Sequence, residues 1–128
     1  MPVVVTGKTC YVGQQYPFAE GRLVCKGRVG FEVTVDQGVL AARHAMIQAL
    51  AVLRQSLGSL NKIKQIVQMN LVVASAPECK DQEKVAEGAS QFLQEIFGDA
   101  GKHVRLVTGV GSLPHGACLG LSLVAEIK

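Results

Sequence analysis

The sequence predicts an α+β fold: one domain over residues 1–128, with a mixed sheet backed on one face by two long amphipathic helices. Two observations lead there. Two stretches place apolar residues at helical spacing, and several others place them at alternate positions. The order reads β-β-(β)-α-β-α-β-β, and long β-α-β connections favour both helices on one face of the sheet.

Each element has its own signal. Residues 3–12, VVVTGKTCYV, are β-branched and aromatic and are broken by Gly7-Lys8, which reads as two short strands joined by a tight turn. Residues 13–22 carry Gly, Pro and polar side chains and read as a loop. Arg22–Gly27 reads as a further short strand. Thr34-Val-Asp-Gln37 has the pattern of a capping box, with Asp36 in the first turn where the helix dipole favours negative charge. The stripe Val39, Ala42, Met46, Leu50, Leu53, Leu57 then predicts a helix over 35–57, stopped by Gly58.

Beyond it, Ile63, Val67, Met69, Leu71 and Val73 predict one buried face of a long strand ended by Ala76-Pro77. Ile66, Val72 and Ala74 spoil the polar face, so the second face is expected to be partly covered. Val85, Ala89, Phe92, Leu93 and Ile96 form the second helical stripe, ended by Gly98. The alternations Val104–Val110 and Leu119–Glu126 complete the set as two strands around Leu113-Pro114-His115-Gly116.

Bulk properties narrow the function. Hydrophobic residues make up 48% of the 128 and charged ones only 18%, and mean hydropathy is +0.28. A small domain this apolar is expected to hide surface against copies of itself. No window offers the roughly 18–20 unbroken apolar residues of a membrane span, and MPVVVTGKT does not read as a signal peptide. The expected setting is cytoplasmic, with a mitochondrial one left open. The 13 basic residues are scattered and aromatic residues are 5%, which argues against a nucleic-acid partner.

Arg105 is the candidate ligand-binding residue. It sits in a strand among apolar neighbours, where an unpartnered guanidinium is costly. It is paired with a carboxylate, exposed on the outer face, or waiting for an anion that its planar fork suits. His115 and Cys118 share a turn but do not make a metal site, which needs three or four ligands. His44 and His103 have no evident partner and read as surface residues. Cys10 and Cys25 read as small core hydrophobes in strands, and Cys79 and Cys118 lie far from them in sequence. No phosphate-binding loop and no paired carboxylates stand out.

The stretch Val104-Arg-Leu-Val-Thr-Gly-Val-Gly-Ser-Leu-Pro114-His-Gly-Ala resembles the C-terminal signature of the RidA (YjgF) family, matching at Arg105, Gly109, Val110, Leu113, Pro114, Gly116 and Ala117. Thr6-Gly7 with Tyr11–Gln15 and Pro17, Ala41–Leu53, Val72–Ala76, and Lys84-Val85 with Gly88-Ala89-Ser90 extend the likeness over nearly the whole chain. The resemblance implies a chorismate-mutase-like fold and a homotrimer whose sheets form a central barrel, with ligand clefts between subunits. It implies hydrolysis of enamines and imines derived from amino acids, without metal or organic cofactor. The arginine grips the substrate carboxylate and a glutamate near the last strand handles the water. Some members of the family are described as endoribonucleases or translation inhibitors. Arg105 keeps the arginine. Gly120 stands where the glutamate is expected, Glu87 where a helix asparagine is expected, and Gly13 and Gln14 where Ser-Gly is expected. Glu126 lies about 20 Å further along the strand and does not replace that glutamate.

Overall fold

The computed structural model describes residues 1–128. Strands β1 (Val3–Thr6) and β2 (Thr9–Gln15) form a hairpin whose turn needs Gly7 at φ 59°. Helix α1 spans Val35–Leu57, strand β5 Ile63–Ala74, helix α2 Gln82–Phe97, strand β6 Val104–Val110 and strand β7 Leu119–Ile127. Between β2 and α1, β3 (Phe18–Ala19) pairs with β4 (Arg22–Leu23) in a small separate ladder. The main sheet has the order β1-β2-β7-β5-β6. Only β5 and β6 are parallel, as the intervening helix α2 requires.

Helix α1 begins and ends as its sequence dictates. The Thr34 hydroxyl accepts from the Gln37 N–H, and the Gln37 side chain accepts from the Thr34 N–H at 2.8 Å. Gly58 adopts the left-handed conformation and donates to the Arg54 carbonyl. Both helices pack on one face of the sheet, α1 over β2 and β7, α2 over β5 and β6. Met46, Leu53, Met69, Leu71, Leu93, Leu119 and Leu121 fill the layer between them. On the outside, Arg43 of α1 lies 4.6 Å from the Phe92 ring centre and 3.2 Å from Glu95, tying the two helices together.

Three expectations are corrected. Residues 13–22 are not one loop: β2 continues to Gln15 through a bulge at Gly13-Gln14, and a hairpin follows with Glu20 and Gly21 at positive φ. Arg22–Gly27 is not one strand: after Leu23 the chain turns away, and Lys26 bridges Ala117 instead. Val67 is not on the buried face, because bulges between Ile63 and Gln65 and between Ile66 and Gln68 shift the alternation. Ile66 is therefore 1% exposed and Val67 39%. On α2, Ile96 ends the helical stripe but is exposed, while Leu93 and Phe97 are the residues that pack on the core.

No helix covers the other face of the sheet. Val4, Tyr11, Val124, Gln68 and Val104 stand in one row across its five strands. Val4, Tyr11 and Val104 are exposed, as is Leu106 in the adjacent row.

Candidate functional site

Arg105 lies opposite Met69 in the β5–β6 ladder, so its side chain rises from the helix-facing side of edge strand β6 toward α2. There it meets one stripe of α2, formed by Glu83, Glu87 and Ser90 at helical spacing. The Arg105 Nε donates to Glu83 Oε1 at 3.1 Å. Its Nη2 lies 3.0 Å from Glu83 Oε1 and 2.8 Å from Glu87 Oε1. Its Nη1 donates to Ser90 Oγ at 3.1 Å. The side chain is 25% exposed, against 68% for Glu83 and 49% for Glu87. Of the alternatives open in the sequence, pairing with carboxylates is the one found.

Behind the guanidinium a short relay fixes Ser90. His103 contacts the Gly101 carbonyl at 2.6 Å through Nδ1 and Ser90 Oγ at 2.9 Å through Nε2. A carbonyl only accepts, so the neutral ring carries its proton on Nδ1 and leaves Nε2 to accept. The Ser90 hydroxyl then donates to His103 and accepts from Arg105. His103 is thus half-buried and bonded on both nitrogens, contrary to the expectation of an unpartnered surface residue. His44 is half-buried on α1.

One guanidinium faces two carboxylates, which leaves the cluster with a net formal negative charge. A free anion is therefore not drawn to it unless a glutamate moves aside. Glu83, the more exposed of the two, is the freer to move, since an exposed ion pair contributes only about 0–1 kcal/mol.

Gly120 sits elsewhere. It pairs with Val72 on the uncovered side of the sheet, the side opposite Arg105. A Cβ built on Gly120 would meet the Gln14 side chain at 2.7 Å, so that side chain fills the space a larger residue would need. Arg105 and position 120 of one chain therefore do not face one another.

His115 is exposed at φ 65°, its ring edge-on to Tyr16 and Phe18. Together with Phe18, Arg22 and Lys26 it lines an open cavity of about 570 Å³. Cys118 is fully buried and does not join His115 in a site. No three His, Cys, Asp or Glu side chains are grouped to hold a metal ion.

Residues 1–127 match the profile of the family described as "YjgF/chorismate mutase-like, putative endoribonuclease". The chain belongs to this YjgF family. Protein TCP17 of Trypanosoma cruzi is 33% identical over 126 residues, which cover 98% of this chain and 79% of that protein. Among solved structures, Atu1372 of Agrobacterium tumefaciens, a protein of unknown function, superposes with a TM-score of 0.98 at 34% identity, covering 99% of this chain and 82% of that one. A "putative endoribonuclease" of Shewanella oneidensis gives 0.97 at 34%, covering 99% and 84%. The α+β, chorismate-mutase-like fold expected from the sequence is the one the YjgF family has.

Sequence reasoning isolated Arg105 but missed Glu83, Ser90 and His103 as its surroundings. The signal was present: Glu83, Glu87 and Ser90 recur on one helix face, and a guanidinium in a strand calls for such partners. What was lacking was the placement of α2 over β6.

Proposed function

We propose that this YjgF-family protein binds a small carboxylate at Arg105, in a cleft completed by a neighbouring copy, and does not hydrolyse imines. The observation that carries the reading is the guanidinium bonded to Ser90 and Glu87 while its third partner, Glu83, is 68% exposed. A ligand carboxylate takes the place of Glu83 and forms the same charge-assisted hydrogen bonds. Glu87 remains, so a ligand with a cationic nitrogen beside its carboxylate is preferred over a simple anion. Edge strand β6 lets a second wall approach. The uncovered apolar row of the sheet supplies a reason for copies to assemble, and a trimer with a central barrel accounts for it.

The absence of hydrolysis follows from position 120. Glycine offers no proton-handling group, and the Gln14 side chain occupies the space beside it. The test is calorimetric titration with 2-oxobutyrate and with a small amino acid against the parent chain, Arg105→Ala and Glu83→Gln. The expected result is loss of binding in Arg105→Ala and several-fold tighter carboxylate binding in Glu83→Gln. Equal binding by the parent and Arg105→Ala refutes the site. Decay of 2-aminoacrylate faster with the protein than in buffer refutes the non-catalytic reading.

A second reading, RNA binding, is favoured by the cavity beside His115. In this reading Arg22 and Lys26 would meet phosphates and Phe18 a base. Its signature is retention of single-stranded RNA that falls steeply with salt and is lost in a Lys26→Glu chain.

A further inference from the structure

We propose that Cys25 and Cys118 are a dithiol pair that closes reversibly into a cross-strand disulfide, tying the segment after β4 to the root of β7. Nothing in their spacing of roughly 90 residues brings them together. The fold does. Lys26 and Ala117 form an antiparallel bridge, and the Gly27 N–H donates to the Gly116 carbonyl at 3.0 Å. Stepping one residue outward on each side of that bridge sets Cys25 directly opposite Cys118.

The separation suits a bridge. Directly opposed residues of an antiparallel pair have Cα atoms about 4.5–5.5 Å apart, within the range of roughly 4.4–6.8 Å that disulfides span. The side chains also lie near enough for each thiol to bear on the ionisation of the other. The remaining cysteines lie elsewhere: Cys10 on the core-facing side of β2, and Cys79 beside Gly30.

The two cysteines have different roles in the closure. Cys118 is completely buried and Cys25 is half-buried, so an oxidant from solution reaches Cys25 first. With a peroxide, the Cys25 thiolate attacks one oxygen and the O–O bond breaks. Hydroxide leaves, and Cys25 becomes a sulfenic acid. The Cys118 sulfur then attacks the Cys25 sulfur, the S–O bond breaks, and water leaves with the proton that Cys118 gives up. Overall two thiols and one peroxide give one disulfide and two waters. Burial raises both thiols, so few thiolates exist near neutrality and closure speeds up as pH rises. Thiol reductants reverse the bond.

The bond sits where it affects a site. Cys118 follows the turn that carries His115, and Cys25 lies between Arg22 and Lys26. His115, Arg22 and Lys26 line the cavity of about 570 Å³, so closure would fix two of its walls relative to one another.

The experiment treats the folded full chain with hydrogen peroxide, and separately with a small-molecule disulfide, across neutral to mildly alkaline pH. Blocking of free thiols under denaturing conditions and peptide mapping by mass spectrometry follow. The expected product has lost two hydrogens, keeps two thiols available for alkylation, and yields one linked pair of peptides containing Cys25 and Cys118. A thiol reductant restores four free thiols. The linked chain melts roughly 5–15 °C higher, because the bond closes a long loop of the unfolded chain. Cys25→Ser and Cys118→Ser each abolish the product, while Cys79→Ser does not. Linkage of any other pair, a sulfinic acid on Cys25 without linkage, or four intact thiols after prolonged exposure overturns the proposal. The results that overturn the proposal are all read on the parent chain, so a variant that fails to fold leaves the answer standing.

Discussion

Replacing Gly88 by alanine tests whether the two helices touch as closely as the structure has them. Gly88 faces α1 at the helix crossing, and a Cβ built there lies 2.1 Å from the Val39 carbonyl oxygen and 2.9 Å from its carbon. A carbon and a carbonyl oxygen approach comfortably to about 3.3 Å. The helices must therefore separate by more than 1 Å, and the obstacle is backbone that no rotamer change removes. In an unhindered helix, Gly→Ala stabilises by about 1 kcal/mol. Overpacking costs about 1–3 kcal/mol, and more when backbone has to move. We expect a net loss of about 2 kcal/mol, seen as a fall in Tm of roughly 6–10 °C. The assay is thermal unfolding followed by circular dichroism, with parent and variant at equal protein concentration because assembly contributes to Tm. A variant that melts at or above the parent temperature would refute the close crossing.

Three further outcomes follow from the structure. Thr34→Ala removes the hydroxyl of the capping box and should cost about 1 kcal/mol, read from the denaturation midpoint; an unchanged midpoint would mean that Gln37 alone holds the helix start. Leu106→Asp puts a charge on the uncovered sheet face, where Leu106 is 55% exposed. Sedimentation should show a smaller species with unchanged far-ultraviolet dichroism, and an unaltered assembly would show that copies do not meet on this face. Burial raises the Cys118 thiol above its ordinary value of 9.0, so the fold favours the protonated form. That contribution is complete below pH 9 and is lost as pH rises further, since the unfolded chain then releases the proton more readily. Stability measured under reducing conditions should fall above pH 9 in the parent and fall less in Cys118→Ala.

Several features were legible in the chain because their causes are local. Thr34, Gln37 and Gly58 bound α1 through hydrogen bonds and backbone conformations that span a few residues, so the helix runs over the expected Val35–Leu57. The alternation of Leu119, Leu121, Leu123 and Ala125 placed the buried face of β7 for the same reason. The expectation for Val67 failed because bulges insert residues without leaving a mark in hydrophobicity: the first brings Ile66 to the buried face, and the second restores the expected alternation from Met69 onward. The strand expected at Arg22–Gly27 failed because a strand needs a partner, and the partner of Lys26 is Ala117, far along the chain.

By itself the sequence determined the fold class, the family, the two long helices with both ends of α1 and the stop of α2, and the singular position of Arg105. Those follow from periodicity, caps and motif, all of which act over neighbouring residues. The tertiary structure alone decided that Glu83 and Glu87 hold that guanidinium, that His103 and Ser90 brace it, that Gly120 lies on the opposite side of the sheet, and that Cys25 meets Cys118. Each of these is a contact between elements distant in sequence. It is fixed by the order β1-β2-β7-β5-β6, which arises from packing the apolar faces of all the elements together and leaves no local trace in any one of them.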